Sequence, residues 1–196
     1  MIFLLGFPKS GTSSFHSLFE QLGYESYHWQ YDDQYIGNIM KENINNGFPL
    51  LTGILNKFPN TKLCLTQMDV CISEKDNFWP QITHFKQLYS ENPHSVFILN
   101  KRNINNLLSS FKKWHNLDKR MLQYNSELFK DIDETLTDDE KLLTLFTNHY
   151  ENVENFFASH PDSKFISYQI DYDTIDKLNQ IIDIKNISTF PYENKN

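Results

Sequence analysis

The sequence predicts an α/β domain of three layers, a central parallel sheet flanked by helices. Three observations carry that expectation. Short apolar runs alternate with longer segments whose apolar residues recur every three or four positions, as strands and helices do in turn. The clearest runs, "MIFLL" and "SVFILNKR", are continuously apolar, the mark of strands buried on both faces. The first run also closes on Gly6 and passes directly into a helical pattern, giving a strand–turn–helix unit at the start of the chain.

The elements follow in order. Ile2 to Leu5 is a strand closed by Gly6; from Thr12, the residues Phe15, Leu18, Phe19 and Leu22 recur at helical spacing until Gly23 supplies a left-handed stop. "YESYHW" reads as a second strand, "DDQYIGNIMKENINNG" as a polar helix ending at Gly47, and "TKLCLTQMDV" as a third strand. Trp79-Pro80 opens one helix through "QITHFKQLYSE", with Pro at a first helical position where its missing N–H costs little. "SVFILNKR" is a strand and "NINNLLSSFKKW" the helix after it. "TDDE" at 137–140 is a capping box opening a long helix, whose stripe is Leu142, Leu143, Leu145, Phe146, Tyr150, Val153 and Phe157. "SKFISYQI" is the last strand and "DTIDKLNQIIDI" the last helix. The alternation implies right-handed crossovers in one domain over residues 1–185, with 186–196 as a loosely held tail.

At 196 residues the chain suits one α/β domain with a substantial core. Hydrophobic residues at 39% and aromatics at 15% supply that interior and a cleft, and exclude a disordered chain. A formal net charge of −7 argues against nucleic-acid or anionic-membrane partners, so any anion site must be local. About a third of the Lys and Arg residues fall in "KRNINNLLSSFKKWHNLDKR", residues 101–120, which reads either as such a site or as a solvated helix face. Cys64 and Cys71 have neither redox-pair spacing nor histidine partners for zinc; buried free thiols in a reducing compartment are expected ahead of a disulfide. "MIFLL" lacks a basic leader segment and no run reaches membrane-span length, so the expectation is a cytoplasmic protein.

The stretch "GFPKSGT" has glycines at the G-x-x-x-x-G spacing of a phosphate loop, but its lysine stands two places before the second glycine. Gly6 and Gly11 permit a tight turn, Lys9 places a charge in it, and Thr12, Ser13 and Ser14 put hydroxyls on the first helical turn. The combination makes an anion cradle where an ordinary strand–helix turn is the alternative. In nucleoside triphosphatases the lysine follows the second glycine and the next hydroxyl holds Mg²⁺. Here it does not, and "SVFILNKR" ends in basic residues in place of a metal-binding Asp, so a site without metal is expected.

"FPKSGTSS" resembles the 5′-phosphosulfate-binding loop, P-K-[ST]-G-T-[TS], of sulfotransferases that use 3′-phosphoadenosine 5′-phosphosulfate. The family's second signature, a strand ending in Arg with Ser eight residues on, is matched by Arg102 and Ser110 in "FILNKRNINNLLSSF". Together with "LGYESYHW", the layout over residues 1–185 is similar to the short intracellular branch of that family. The resemblance implies a P-loop-NTPase-like fold and sulfuryl transfer to a hydroxyl or amine of a small-molecule or carbohydrate acceptor, releasing adenosine 3′,5′-bisphosphate without a metal. It implies donor binding by Pro8, Lys9, Ser10, Gly11, Thr12, Ser13 and Ser14, with Arg102 and Ser110 on the 3′-phosphate and Lys9 at the leaving phosphate oxygen.

Where cytosolic members carry a K-T-H-[LP] segment with the catalytic base, this chain has "QMDV", which makes Asp69 the first candidate base, with a helix cap or turn residue as the alternative. His28 is the second candidate, against a core or surface histidine. His115 and Lys113 belong either to the acceptor mouth or to a solvated face, and the acceptor pocket is expected from loops after the strands and from Tyr31 to Phe58. The family's adenine-stacking aromatic after the loop is replaced by Ser14 and its C-terminal R-K-G segment is absent, leaving Trp114 or Tyr168 as substitutes. Two other readings stand beside this one. A nucleotide or small-molecule kinase with an altered loop would need magnesium. A non-catalytic nucleotide-binding protein would tolerate Asp69→Ala.

Overall fold

The computed structural model describes residues 1–54, 62–184, 187, 189–191 and 193. From the N-terminus, β1 (Ile2–Leu4) leads through the glycine turn into α1 (Thr12–Gln21) and on to β2 (Glu25–His28). A hairpin, β3 (Gln30–Tyr31) and β4 (Gln34–Tyr35), precedes α2 (Ile36–Asn45). After β5 (Leu63–Gln67) come a second hairpin, β6 (Val70–Cys71) and β7 (Asn77–Phe78), then α3 (Pro80–Thr83) and α4 (Phe85–Glu91). β8 (Val96–Lys101) is followed by α5 (Ile104–Lys113), α6 (Leu117–Tyr124), α7 (Ser126–Phe129) and the long α8 (Asp138–Ala158). β9 (Lys164–Gln169) and a 3₁₀ helix over Ile175–Gln180 complete the order.

Among the described residues, five parallel strands form the main sheet in the order β2-β5-β1-β8-β9. The chain builds one side of β1 first and then crosses to the other. The carboxyl end of β1 is therefore a topological switch point, where a crevice opens in doubly wound sheets. Alternation along the strands divides the core in two. Ile2, Leu4, Cys64, Ile98 and Tyr168 pack against Phe15, Leu18 and Phe19 of α1 and Leu178 of the 3₁₀ helix. Phe3, Leu5, Leu65, Phe97 and Leu99 face the other way, onto Leu107 and Phe111 of α5 and Phe146, Val153 and Phe157 of α8. Sheet strands that are apolar at every position thus fill two separate cores, and the three expected layers result.

Several elements differ from the expectation. The polar helix starts at Ile36 because Asp32 and Asp33 both take left-handed backbone (φ 47° and 61°), the geometry of a tight hairpin turn. "TKLCLTQMDV" is two strands: β1 ends at Leu4 and β2 at His28, so beyond Gln67 the chain loses its parallel partners and Val70 pairs antiparallel with Phe78. The helix after Trp79 divides at His84, where Thr83 donates its hydroxyl to the Trp79 carbonyl and also contacts the His84 ring at 2.7 Å, competing with the backbone ladder. The last helix is the short 3₁₀ segment, and α6 and α7 were not foreseen. The capping box is present, with Thr137 N–H donating to Glu140 at 2.9 Å. Cys64 and Cys71 are buried free thiols. In the tail, Phe190 packs on Phe15 at 4.9 Å and Glu193 N–H donates to the Ser14 hydroxyl at 3.1 Å. Residues 186, 188, 192 and 194–196 of that tail, and 55–58 of the expected acceptor segment, lie outside the described residues.

Candidate active site

The loop after β1 is held by its neighbours before any ligand is considered. Leu5 N–H donates to the Ile98 carbonyl at 2.8 Å, and the Leu5 carbonyl accepts from His149 Nε2 at 2.7 Å. Phe7 is fully buried, 4.7 Å from the Phe146 ring and 5.0 Å from that of His149. Asn100, buried at the end of β8, binds both ends of the turn: it accepts from Gly6 N–H at 2.8 Å and donates to the Ser10 carbonyl at 3.1 Å and hydroxyl at 2.8 Å. Gly6 lies so close to the Asn100 backbone carbonyl that any side chain would collide with it. Lys9 takes left-handed backbone (φ 69°), and so does Gly11 (φ 83°), where a side chain would also meet Ile170. The chain enters α1 from this pinned turn, and helix geometry leaves its first-turn N–H groups without intrahelical acceptors. Those groups and the positive helix end make the turn an anion cradle.

Two cations meet at its rim. Arg102 Nη1 donates to the Lys9 carbonyl at 2.8 Å, and Lys9 Nζ lies 5.5 Å above the Trp114 ring. Burial, and then the Arg102 guanidinium, hold the Lys9 ammonium below its ordinary pKa. Among the described residues neither cation has a carboxylate at ion-pairing distance. Like charges brought together without a counter-ion favour an anionic ligand.

Beside the cradle, Asp69 is buried (4% exposed) with an amide donor on each oxygen. Gln81 Nε2 donates to Oδ1 at 2.7 Å and Gln67 Nε2 to Oδ2 at 3.1 Å, while Gln67 Oε1 accepts from the Thr12 hydroxyl at 3.3 Å. Desolvation outweighs these donors and pushes the carboxyl up to about 7. Asp69 lines a cavity of about 260 Å³ together with Trp29, Gln67, Trp114, His115 and Arg120, and Val70, Cys71 and Leu117 supply apolar wall. A hydrogen-bonded chain Thr12–Gln67–Asp69–Gln81 therefore runs from the cradle to the wall of this pocket.

The sequence pattern of the sulfotransferase domain matches residues 1–196. The chain belongs to the sulfotransferase domain family. Among solved structures, the deoxyadenosine kinase of M. mycoides with bound dATP is similar over 95% of this chain and 99% of its own, at 17% identity and a TM-score of 0.47. No curated protein matches the chain.

In this sulfotransferase-family chain the anticipated residues take distinct places. Lys9, Gly11, Thr12, Ser13 and Arg102 gather at the cradle. Pro8 and Ser10 are buried, and the Ser10 hydroxyl donates inward to the Phe7 carbonyl, so its side chain builds the loop. The Ser14 hydroxyl accepts from Glu193. Ser110 is partly buried on α5; the helix start before it is already capped, since Asn103 Oδ1 accepts from Asn105 and Asn106 N–H. Asp69 lies between β5 and β6 and, among the described residues, caps no helix. His28 lies beside α1, outside the cavity wall: the Thr66 hydroxyl donates to the Tyr27 carbonyl at 3.0 Å, so His28 Nδ1 donates to it and Nε2 is left to accept from Ser13 at 3.4 Å. Burial, then His16 and Lys9, lower its pKa to about 4, which keeps it neutral. His115 lines the cavity and Lys113 is exposed. Tyr168 is a core residue between Phe15 and Phe190, donating to the Asp173 carbonyl, and cannot stack a base; Trp114 lines the cavity beside Asp69.

Asn100, Gln67, Gln81, Trp29 and Arg120 escaped the sequence reading; only Asn100 left a signal, as an amide inside an apolar strand. A second cavity of about 270 Å³ involves Phe85, Glu127, Asp131 and His149, and no cradle residue lines it. Burial lowers the His149 pKa to about 4, and its ring holds Leu5 in place. Among the described residues no three His, Cys, Asp or Glu are grouped to hold a metal ion, and no helix is long and apolar enough to cross a membrane.

Proposed function

We propose that the chain transfers a sulfuryl group from 3′-phosphoadenosine 5′-phosphosulfate to a hydroxyl or amine of a small-molecule or carbohydrate acceptor, without a metal ion. The carrying observation is the bond chain from Thr12 to Asp69, which couples the anion cradle to a buried carboxyl whose pKa lies near neutrality. The cradle suits the anionic end of this donor: first-turn N–H groups of α1 and Lys9 offer donors and positive charge in one place. When bound, the donor supplies an activated sulfuryl group on a phosphate leaving group. Lys9 and the α1 N–H groups stabilise charge gathering on the phosphate side. Arg102 and Ser110 hold the 3′-phosphate. Asp69 accepts the acceptor's proton, and Gln67 and Gln81 fix the plane of its carboxylate. Trp29 and Trp114 line the pocket where the acceptor would lie. The buried free thiols support a reducing compartment, the cytoplasm, and the acidic net charge supports neither nucleic acid nor membrane as partner.

The test is calorimetric titration with adenosine 3′,5′-bisphosphate, with and without Mg²⁺, and with ATP as competitor. The expected result is metal-independent binding that ATP does not displace. No binding, or Mg²⁺-dependent binding of ATP in its place, overturns the reading.

A further inference from the structure

The acceptor cavity holds a cation that the transfer chemistry does not use. Arg120, on α6, lines the same pocket as Asp69. Its Nη1 donates to the Cys71 carbonyl and its guanidinium lies 5.6 Å from the centre of the Trp114 ring, so the group is held in position. Its Nε is buried without a hydrogen-bond partner, and among the described residues no carboxylate reaches ion-pairing distance. Asp118 is two places away on the same helix, and residues at that spacing do not face each other. A fixed cation in a pocket wall, with no carboxylate beside it, favours an anionic ligand.

The rest of the pocket says what that ligand looks like. At about 260 Å³ the cavity falls below the roughly 300–1,000 Å³ of drug-sized sites. Two indoles, with Val70 and Leu117, give it broad apolar walls suited to a flat ring. A sugar would bring several hydroxyls, and Gln67, Asp69, His115 and Arg120 are too few to satisfy them. We propose that the acceptor is a small hydroxylated aromatic ring bearing an anionic group, with its hydroxyl at Asp69 and its anion at Arg120. This rests on the proposed sulfuryl transfer for the word acceptor, but the anion preference itself does not depend on the donor.

The probes are 4-hydroxybenzoate and its neutral near-isostere 4-hydroxybenzyl alcohol, followed by quenching of tryptophan fluorescence, since two of the three tryptophans line the cavity. The acid should bind the wild type roughly tenfold tighter than the alcohol. Arg120→Gln should bring the ratio close to one, and Arg120→Lys should retain part of it. A purely bracing role for Arg120 predicts equal losses for both probes. An equal affinity of both compounds for the wild type, a preference that survives in Arg120→Gln, or failure of both to bind overturns the proposal. Titration of the same proteins with adenosine 3′,5′-bisphosphate separates the two readings. Bisphosphate binding without acid preference sinks the acceptor proposal alone, whereas acid preference without bisphosphate binding supports it and removes the donor.

Discussion

Asp69 is a residue whose environment works against its charge. Both carboxylate oxygens accept amide hydrogen bonds, yet burial raises the folded pKa from an ordinary 3.8 to about 7. The folded state therefore holds the proton more tightly than the unfolded chain. The associated stability is fully present below pH 3.8 and is lost as pH rises through 7. Between pH 5 and pH 8 the wild type should lose about 3 kcal/mol that Asp69→Asn does not, as read from urea midpoints at the two pH values. Parallel curves would show that the carboxyl is not desolvated. In the proposed transfer the same ionisation makes the base, so turnover should rise through about pH 7, and Asp69→Asn should cost roughly 10²–10⁴-fold in kcat. Lys9 has a separable role: Lys9→Ala should lower kcat far more than it weakens the donor, and equal losses would contradict leaving-group stabilisation. Arg102→Ala should weaken adenosine 3′,5′-bisphosphate while sparing adenosine 5′-phosphate, by calorimetry on both nucleotides.

At the scale of elements, the cradle is a joint property of the β1–α1 turn and β8. Asn100 stitches Gly6 to Ser10, and its removal leaves buried groups at both ends without partners. Asn100→Ala should cost about 2–4 kcal/mol in chemical denaturation. It should also weaken bisphosphate binding, although no nucleotide contact is deleted; binding unchanged in a destabilised variant would show a purely structural brace. The same joint explains what was legible. Gly6, Lys9, Gly11 and Thr12 announce the cradle because a turn's chemistry is local. Gln67, Gln81 and Arg120 have ordinary local patterns, and their roles arise when β5, α3 and α6 converge on one pocket, which residue order does not show. The strands and the capped α8 were readable from periodicity and Thr137. The breaks at Asp32–Asp33, after Gln67 and at His84 depend on backbone handedness, on where neighbouring strands end and on a side-chain bond, none of which alters hydrophobic spacing.

For the whole molecule, pH sensitivity is set by groups on opposite sides of the balance. His28 and His149 are buried and neutral, with folded pKa values of about 4 against an ordinary 6.5. Their stability is present above 6.5 and lost as pH falls through 4. Asp69 regains one proton's worth over the same window. Two losses against one gain leave a net loss of about 2 kcal/mol between pH 6.5 and 4, a sizeable share of the usual 5–15. A urea midpoint that does not fall between pH 6.5 and 4.5 would refute this accounting.

The central strand has one more consequence. Ile2 pairs with Cys64 on one side and Val96 on the other, so a growing chain holds this strand waiting for the two that will flank it. Such sequence-distant parallel pairings put refolding in the slow range, milliseconds to seconds. Because Asn100 closes the turn, a nascent chain has no finished turn until the end of β8 has been synthesised, and an anion bound there could not act as a template for the early steps of this domain's folding.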